Sequence, residues 1–539
     1  MKNKVLLLIL LLAALLRLYK LDSYPSFNAD EAAIGYNTYS LIETGKDEHG
    51  NPWPIHFQSF NDFKPGGYFY LVLPFVKVFG LNEWSIRLPN ALLAIASVYV
   101  LYLLVLKIFG NKKLALISAL GLSVSPWHLH FSRGGWEVST ATFFILLGVY
   151  LFLRFLEKKK LAFLAISIFS LVLSMYTYHA ARIIIPLLVL GITIIYWKDL
   201  ELKKNMKNYI LAVLFFILLL LPLVKDFMKP EAISRAAGVG LFADPGPISR
   251  IEEQRTEHGD FTGILPKVMH NRLVNYGLAF MENWADHYHG LFLFLSGDDI
   301  ERNKVPETGQ MYAIELLFVI VGLFSLIKVS NKGVKLIIWW LIIAPTAAAL
   351  TFQSPHALRA QNMVIPLVII SSFGITTIFE WLDKNKYKWG KWGLLLVMVL
   401  SFARYEHMYW KHMSSEYPYS SQYGVRELVN YVNDTSNNFR KVLVTDRYDQ
   451  PYILFLYYLK YPPELFQKNH NLTPRDGYGF STVNHFDKYY FTAIRYDEAR
   501  PDNPNSLIVG TPDNIPDEAN IVKEIYGTNG YKYFEVVAN

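Results

Sequence analysis

Apolar runs close to the length of a membrane-spanning helix recur along this chain. They fall at roughly 4–21, 86–109, 114–131, 137–156, 161–178, 181–197, 208–227, 312–328, 334–352, 360–382 and 392–409. A hydrocarbon core about 30 Å thick asks for ~20 apolar residues per helix, and its spanning segments must satisfy their backbone amides internally. The pattern predicts an α-helical polytopic membrane protein with about 11 transmembrane helices. Composition agrees, since only 18% of the 539 residues are charged and 52% are hydrophobic, against about one-quarter charged in soluble domains. The stretch 68–80, interrupted by Pro74 and Lys77, is too short to span alone and reads as an interfacial or re-entrant helix.

Lysine and arginine set the orientation. One set of connections holds Lys107, Lys112 and Lys113, then Arg154 and Lys158–Lys160, then Lys198, Lys203, Lys204 and Lys207, and it continues around Lys332 and Lys386. The alternate short turns hold only Arg133, Arg182 and Arg359. The basic set is expected to be cytoplasmic, together with the N-terminus, and an odd number of spans then leaves the C-terminal region outside. The expected location is the plasma membrane. The formal charge of +7 is thereby a topology signal toward membrane lipids, and nothing else supports nucleic acid as a partner. The flank "RLYKLDSY" lacks a small-x-small cleavage site, so the first run is read as a retained helix.

Three outward segments exceed ordinary connectors: about 22–85, about 228–311 and the tail from about 410. The expected organisation is a transmembrane domain over 1–409, with outer loops 22–85 and 228–311, and a small extracytoplasmic α/β domain over 410–539. In the tail, 424–434 and 451–461 read as helices, and 440–446, 488–496, 505–510 and 531–537 as strands. No glycine-rich phosphate loop and no nucleophile motif occur there. The absence of cysteine excludes disulfides, thiolate catalysis and Cys-ligated zinc.

The first outer loop opens with "PSFNADEAAIGY", which sets Asp30 and Glu31 just beyond the first apolar run. An acidic pair suits the positive end of a helix, which on spacing alone weighs as much as a catalytic role. Downstream, "FNDFKPGGYFYL" supplies Asp62 and Lys64, and "SPWHLHFSRGGWEVS" supplies His128, His130, Arg133 and Glu137. "YTYHAAR" carries His179 and Arg182, and "SPHALRAQNMVIP" carries His356 and Arg359. Each alone is an ordinary snorkelling anchor; together they fall on the side of Asp30. A membrane edge holding both signs suits transfer of a sugar from a polyprenyl-phosphate carrier. Cations stabilise the departing phosphate, and a carboxylate accepts the proton of the incoming hydroxyl.

At these motifs the chain resembles the lipid-linked-sugar glycosyltransferases of the C-type membrane (GT-C) fold. It is most like the bacterial protein O-mannosyltransferase-like and aminoarabinose-transferase-like branch. The resemblance rests on "RLYKLDSYPSFNADEAAIGYNTYSLIETGKDEHGNPWP", "FNDFKPGGYFYLVLPFVKVFGLNEWSIRLPNAL", "SPWHLHFSRGGWE", "HGLFLFLSGDD" with "VPETGQMYAIELLFVIVGL", and "SPHALRAQNMVIP", within residues 1–382. It implies that Asp30 is the catalytic aspartate of the first loop, with Glu31 completing the acidic motif. It implies donor-side roles for Lys64 and neighbouring Asp62, and a second functional carboxylate at Glu137. Carrier-phosphate contacts are implied for Arg359 with His356, and more weakly for His179 and Arg182. Relatives often have Lys-Pro-Pro where this chain has Lys64-Pro65-Gly66-Gly67, so a looser turn is expected beneath Lys64.

The resemblance implies an inverting glycosyltransferase, with a polyprenyl-phosphate sugar as donor and a glycan, lipid or protein hydroxyl as acceptor. No cofactor is assigned. Some relatives use a divalent cation, and "DHYHG" offers Asp286, His287 and His289 at a ligand-like spacing. A multi-span lipid or sugar transporter or flippase is the alternative reading. It would place charges near the bilayer midplane, whereas here they gather at one edge.

Overall fold

The structure is a computed structural model describing residues 4–60, 62–228, 238, 240–259, 263–417, 422–475 and 481–539. Asn61 of the lysine motif, parts of the second outer segment and short stretches of the tail lie outside the described residues.

Each of the expected apolar runs carries helix. Six described helices are long and apolar enough to cross a membrane: Glu83–Phe109, Glu137–Lys158, Ala181–Leu200, Met206–Phe227, Lys332–Ala349 and Gln361–Lys384. A seventh arises if Lys112–Val124 and Pro126–Ser132, bent by 54°, form one span. The sequence-based count of 11 is larger because some of the apolar runs form helices too short to span, and Lys388–His407, though 20 residues long, carries charges at both ends. Leu161–Thr177 and Glu315–Ile327 have 17 and 13 residues, which at 1.5 Å per residue fall short of a 30 Å core. Gly67–Phe79 is helical and short, as read from its sequence.

The chain divides into two compact units. One comprises Met1–Leu16, Leu93–Phe131 and Glu137–Tyr405; the other comprises Arg17–Leu92, Ser132–Trp136 and Glu406–Asn539. In the first, the membrane unit, polar side chains satisfy neighbouring backbone. Ser167 and Ser170 donate to the carbonyls of Gly148 and Phe144 at 2.7 and 3.0 Å, stitching Leu161–Thr177 to Glu137–Lys158.

The second unit, the loop–tail unit, groups the tail with the first outer loop. The tail shares one hydrophobic core with the first outer loop: Phe27, Ile34, Phe57, Tyr68 and Ile86 bury with Leu428, Tyr452, Phe455, Leu507 and Phe534. Its strands are β1 (His56–Ser59), β2 (Asp62–Pro65), β3 (Lys441–Thr445), β4 (His485–Phe486), β5 (Tyr489–Thr492), β6 (Ser506–Gly510), β7 (Ile521–Tyr526) and β8 (Lys532–Ala538). The first two form a hairpin, and the rest form a sheet in the order β4-β5-β3-β6-β8-β7. Central β3 runs parallel to β5 and β6, while β8 is antiparallel to β6 and β7. The strand expected over 488–496 ends early, and Tyr496–Asp502 turns helical.

Helix Ala29–Thr44 is sandwiched in this core. It packs on tail helix Pro451–Leu459 at Gly35, where a Cβ would come within 2.6 Å of the Tyr457 ring. Only glycine admits that approach. The Tyr36 hydroxyl donates to the Tyr461 carbonyl at 3.0 Å.

Candidate functional site

The acidic pair occupies the first turn of Ala29–Thr44. Asn28 is the N-cap, accepting from the Glu31 N–H at 3.0 Å, and the Glu31 side chain reaches back to the Asn28 N–H to close a capping box. Adjacent residues on a helix point apart, and these two acids have different surroundings.

Glu31 points inward. Its Oε1 accepts from Arg87 Nε and from the Gly135 N–H, and its Oε2 from Arg87 Nη2, each at 2.7 Å. Arg87 is fully buried, and it also donates to the carbonyls of Leu21, Pro25 and Ser26 while lying over the Phe27 ring. One guanidinium thus ties the loop before the helix to the helix itself.

Asp30 points the other way, with its side chain 32% exposed. Its Oδ1 accepts from Lys64 Nζ at 2.5 Å. Lys64 sits on β2 opposite Phe57, with its ammonium 4.7 Å from the centre of the Phe60 ring and its side chain 8% exposed. The looser turn expected after Lys64 is not found. Gly66 has φ −77° and donates to the Ile55 carbonyl at 2.8 Å. A Cβ there would meet that carbonyl at 2.7 Å and the Phe57 ring at 2.9 Å. Gly66 therefore allows close packing beneath Lys64. Asp62 is buried at the end of the hairpin and accepts from the Phe63 N–H at 2.9 Å.

Arg133 also belongs to this unit and braces the entry loop. It donates to the Tyr409 hydroxyl at 2.9 Å and to the Tyr19 and Tyr24 carbonyls at 2.7 and 3.2 Å, with Trp410 stacked 4.8 Å away.

The remaining sequence-selected residues lie in the membrane unit. Glu137 opens its helix, half-buried. Arg182 donates to His179 Nδ1 at 2.9 Å and to the Met175 carbonyl at 3.0 Å. Arg359 donates to the Thr351 hydroxyl at 2.7 Å. His356 is buried, and its N–H donates to His287 Nε2 at 3.1 Å. The other His287 nitrogen, Nδ1, donates to the Asn283 carbonyl at 2.7 Å. Both ring nitrogens are therefore engaged, which removes His287 from the metal set that its spacing suggested. Burial lowers its pKa to about 4, reinforced by the nearby Arg359 charge and opposed by the Asn283 hydrogen bond. Among the described residues no group of three His, Asp or Glu side chains is placed to hold a metal ion.

Sequence reasoning missed two anchors. Arg87 in "WSIRLPN" reads as an ordinary charge at the start of a span. Sequence alone gives Asp298 in "SGDD" no role of its own, yet it accepts from the Ala357 N–H at 2.6 Å and from Asn303 at 3.0 Å, pinning the "SPHALR" loop.

Comparison with known proteins follows the same lines. Residues 64–224 match the family described as dolichyl-phosphate-mannose-protein mannosyltransferase. Across 98% of this chain and 97% of that one, the structure superposes on ArnT from Cupriavidus metallidurans in the apo state, with a TM-score of 0.57 at 12% identity. The chain has the C-type glycosyltransferase fold. Its GT-C architecture is shared with the archaeal oligosaccharyltransferase AglB from Archaeoglobus fulgidus, at TM-score 0.51 and 13% identity over 85% of this chain and 63% of that one.

Curated relatives include an uncharacterized protein of Aquifex aeolicus (strain VF5), 26% identical over 215 residues, 40% of this chain and 42% of that one. Putative mannosyltransferase YkcB of Bacillus subtilis (strain 168) is 28% identical over 231 residues, 41% of this chain and 30% of that one. The chain spans less than half the length of these curated relatives.

Proposed function

We propose that the protein is an integral membrane glycosyltransferase. It moves a monosaccharide from a polyprenyl-phosphate carrier to an acceptor hydroxyl on the outer face of the plasma membrane. ArnT has been solved bound to undecaprenyl phosphate and AglB in complex with a dolichol-phosphate; a carrier of that class is the proposed donor here. The observation that carries the reading is the division of labour in the first turn of Ala29–Thr44: Glu31 is consumed in holding the loop, while Asp30 stays partly open beside a buried ammonium.

In the proposed reaction Asp30 accepts the proton of the acceptor hydroxyl as that oxygen bonds to the anomeric carbon. The bond from that carbon to the carrier phosphate breaks, and its electron pair leaves with the phosphate. Attack opposite the leaving group inverts the configuration. Lys64 is shared between Asp30 and the phosphate, offsetting charge as it develops. The role of Glu31 is then to position Asp30. Arg359 and His356 are proposed as further contacts to the carrier phosphate, with Asp62, Glu137, His179 and Arg182 as secondary candidates for substrate contact.

The test is transfer from a defined polyprenyl-phosphate sugar by purified protein, beside Asp30→Asn. Loss of transfer with donor binding retained supports the reading; undiminished transfer removes Asp30 as the base.

A further inference from the structure

The loop–tail unit contains a cavity of ≈ 390 Å³, within the ~300–1,000 Å³ range of small-molecule sites. One wall is the loop Asp22–Phe27, which leads into Asn28 and Asp30; the opposite wall comes from tail helix Val425–Thr435 and the residues before it. Gln422, also on the wall, accepts from the Ala29 N–H at 2.5 Å, so the cavity abuts the first turn that carries Asp30.

Its chemistry is mixed. Tyr24, Phe27 and Tyr458 offer ring surface, and Asp22, Asn430 and Arg426 offer planar hydrogen-bonding groups. Glu83 is buried, and its Oε1 lies 3.2 Å from Arg426 Nη1 without accepting a hydrogen bond. The pair holds a carboxylate and a guanidinium side by side on the cavity wall. Of the three carboxylates on the lining, Glu83 is paired with Arg426 at 3.2 Å and Glu427 with Lys523 at 2.8 Å, which leaves Asp22 as the excess negative charge. That excess disfavours phosphates and acidic sugars. Ring faces with carboxylate and amide acceptors suit a pyranose, whose C–H faces are apolar and whose edge is a row of hydroxyls.

We propose that this cavity is a saccharide subsite taking neutral or amino sugars of the acceptor, distinct in chemistry from any subsite for the donor phosphate. The assignment to the acceptor rests on the transferase reading above; saccharide binding itself does not.

The experiment uses the full chain in detergent micelles and saturation-transfer NMR with maltotriose, chitotriose and trigalacturonic acid. Binding of maltotriose or chitotriose with no binding of trigalacturonic acid is expected. Asn430→Trp, on an exposed helix face at the cavity wall, should reduce that binding at least tenfold while the protein melts as before. Should that variant melt early, Tyr423→Ala and Glu83→Gln carry the same test. Binding of the acidic trisaccharide as strongly as the others, no binding of either neutral or amino trisaccharide, or binding indifferent to all three variants would overturn the proposal. A second measurement separates the two readings. In Asn430→Trp, transfer to a saccharide acceptor should fall at least tenfold relative to hydrolysis of the donor by water. If the wild type consumes no donor, the transferase reading fails while the NMR result stands; if it does and the ratio is unmoved, the acceptor assignment fails.

Discussion

Glu31 and Arg87 meet through two hydrogen bonds of 2.7 Å, with side-chain exposures of 2% and 0%. A charge pair so buried holds geometry more than it adds stability, because desolvation offsets most of the attraction. Removing one partner is a different matter, since it strands the other charge.

Glu31→Gln should therefore lower stability by about 3–5 kcal/mol, seen as an early thermal transition of the detergent-solubilised protein. The double variant Glu31→Gln with Arg87→Met should recover much of that loss. If the double variant melts no later than the single one, Arg87 is not the group that Glu31 neutralises.

Asp30→Asn should behave in the opposite way. Its carboxylate is 32% exposed, in contrast to that of Glu31, and pairs with Lys64, so the melting temperature should change far less than in Glu31→Gln. Transfer should fall by roughly 10²–10⁴-fold, the usual worth of a positioned general base. A parallel loss of stability and activity would mark Asp30 as structural instead.

Lys64→Gln tests whether the ammonium serves the donor. We expect a higher KM for the polyprenyl-phosphate sugar and a lower kcat, with Lys64→Arg recovering part of the first effect. Kinetics unchanged in Lys64→Gln would confine this residue to the hairpin.

His287 gives a pH signature. Its folded pKa is lowered to about 4 from 6.5. As pH falls below 6.5 the unfolded chain binds a proton that the folded ring refuses, so stability is lost between about pH 6.5 and 4 and levels off beneath, at a cost of roughly 3 kcal/mol. Asp298 acts with the opposite sign: burial raises its pKa, so the folded carboxyl takes a proton first and stability rises as pH falls. Comparing melting curves of wild type and His287→Gln at pH 7 and 4.5 isolates the histidine. The wild type should lose more on acidification, and equal losses would contradict the assignment.

Hydropathy made the helical membrane unit legible, because a span must be apolar along its whole length whatever surrounds it. It did not make the span count legible: the bend after Val124 and the 13-residue helix Glu315–Ile327 depend on packing. The acidic pair at the start of a helix was legible because its motif is local, whereas Arg87 lies 56 positions from its partner and its arginine resembles any interfacial anchor. Gly66 was misread for the same reason. A glycine pair suggests slack, and only the Ile55 carbonyl and the Phe57 ring reveal that it is there for want of room. Four tail strands, β3, β5, β6 and β8, were readable from β-branched and aromatic runs, but β4 and β7 were not, and the joint core with the first loop has no sequence period.

That joint core has a consequence for how the protein can be shortened. The face of Ala29–Thr44 that holds Gly35 and Tyr36 is roofed by Tyr457 and Tyr461. A chain truncated after residue 409 would leave this helix bare to water and untethered. The last 130 residues are thus no detachable appendage, and substitutions beneath that roof are constrained to change in step on both sides of it.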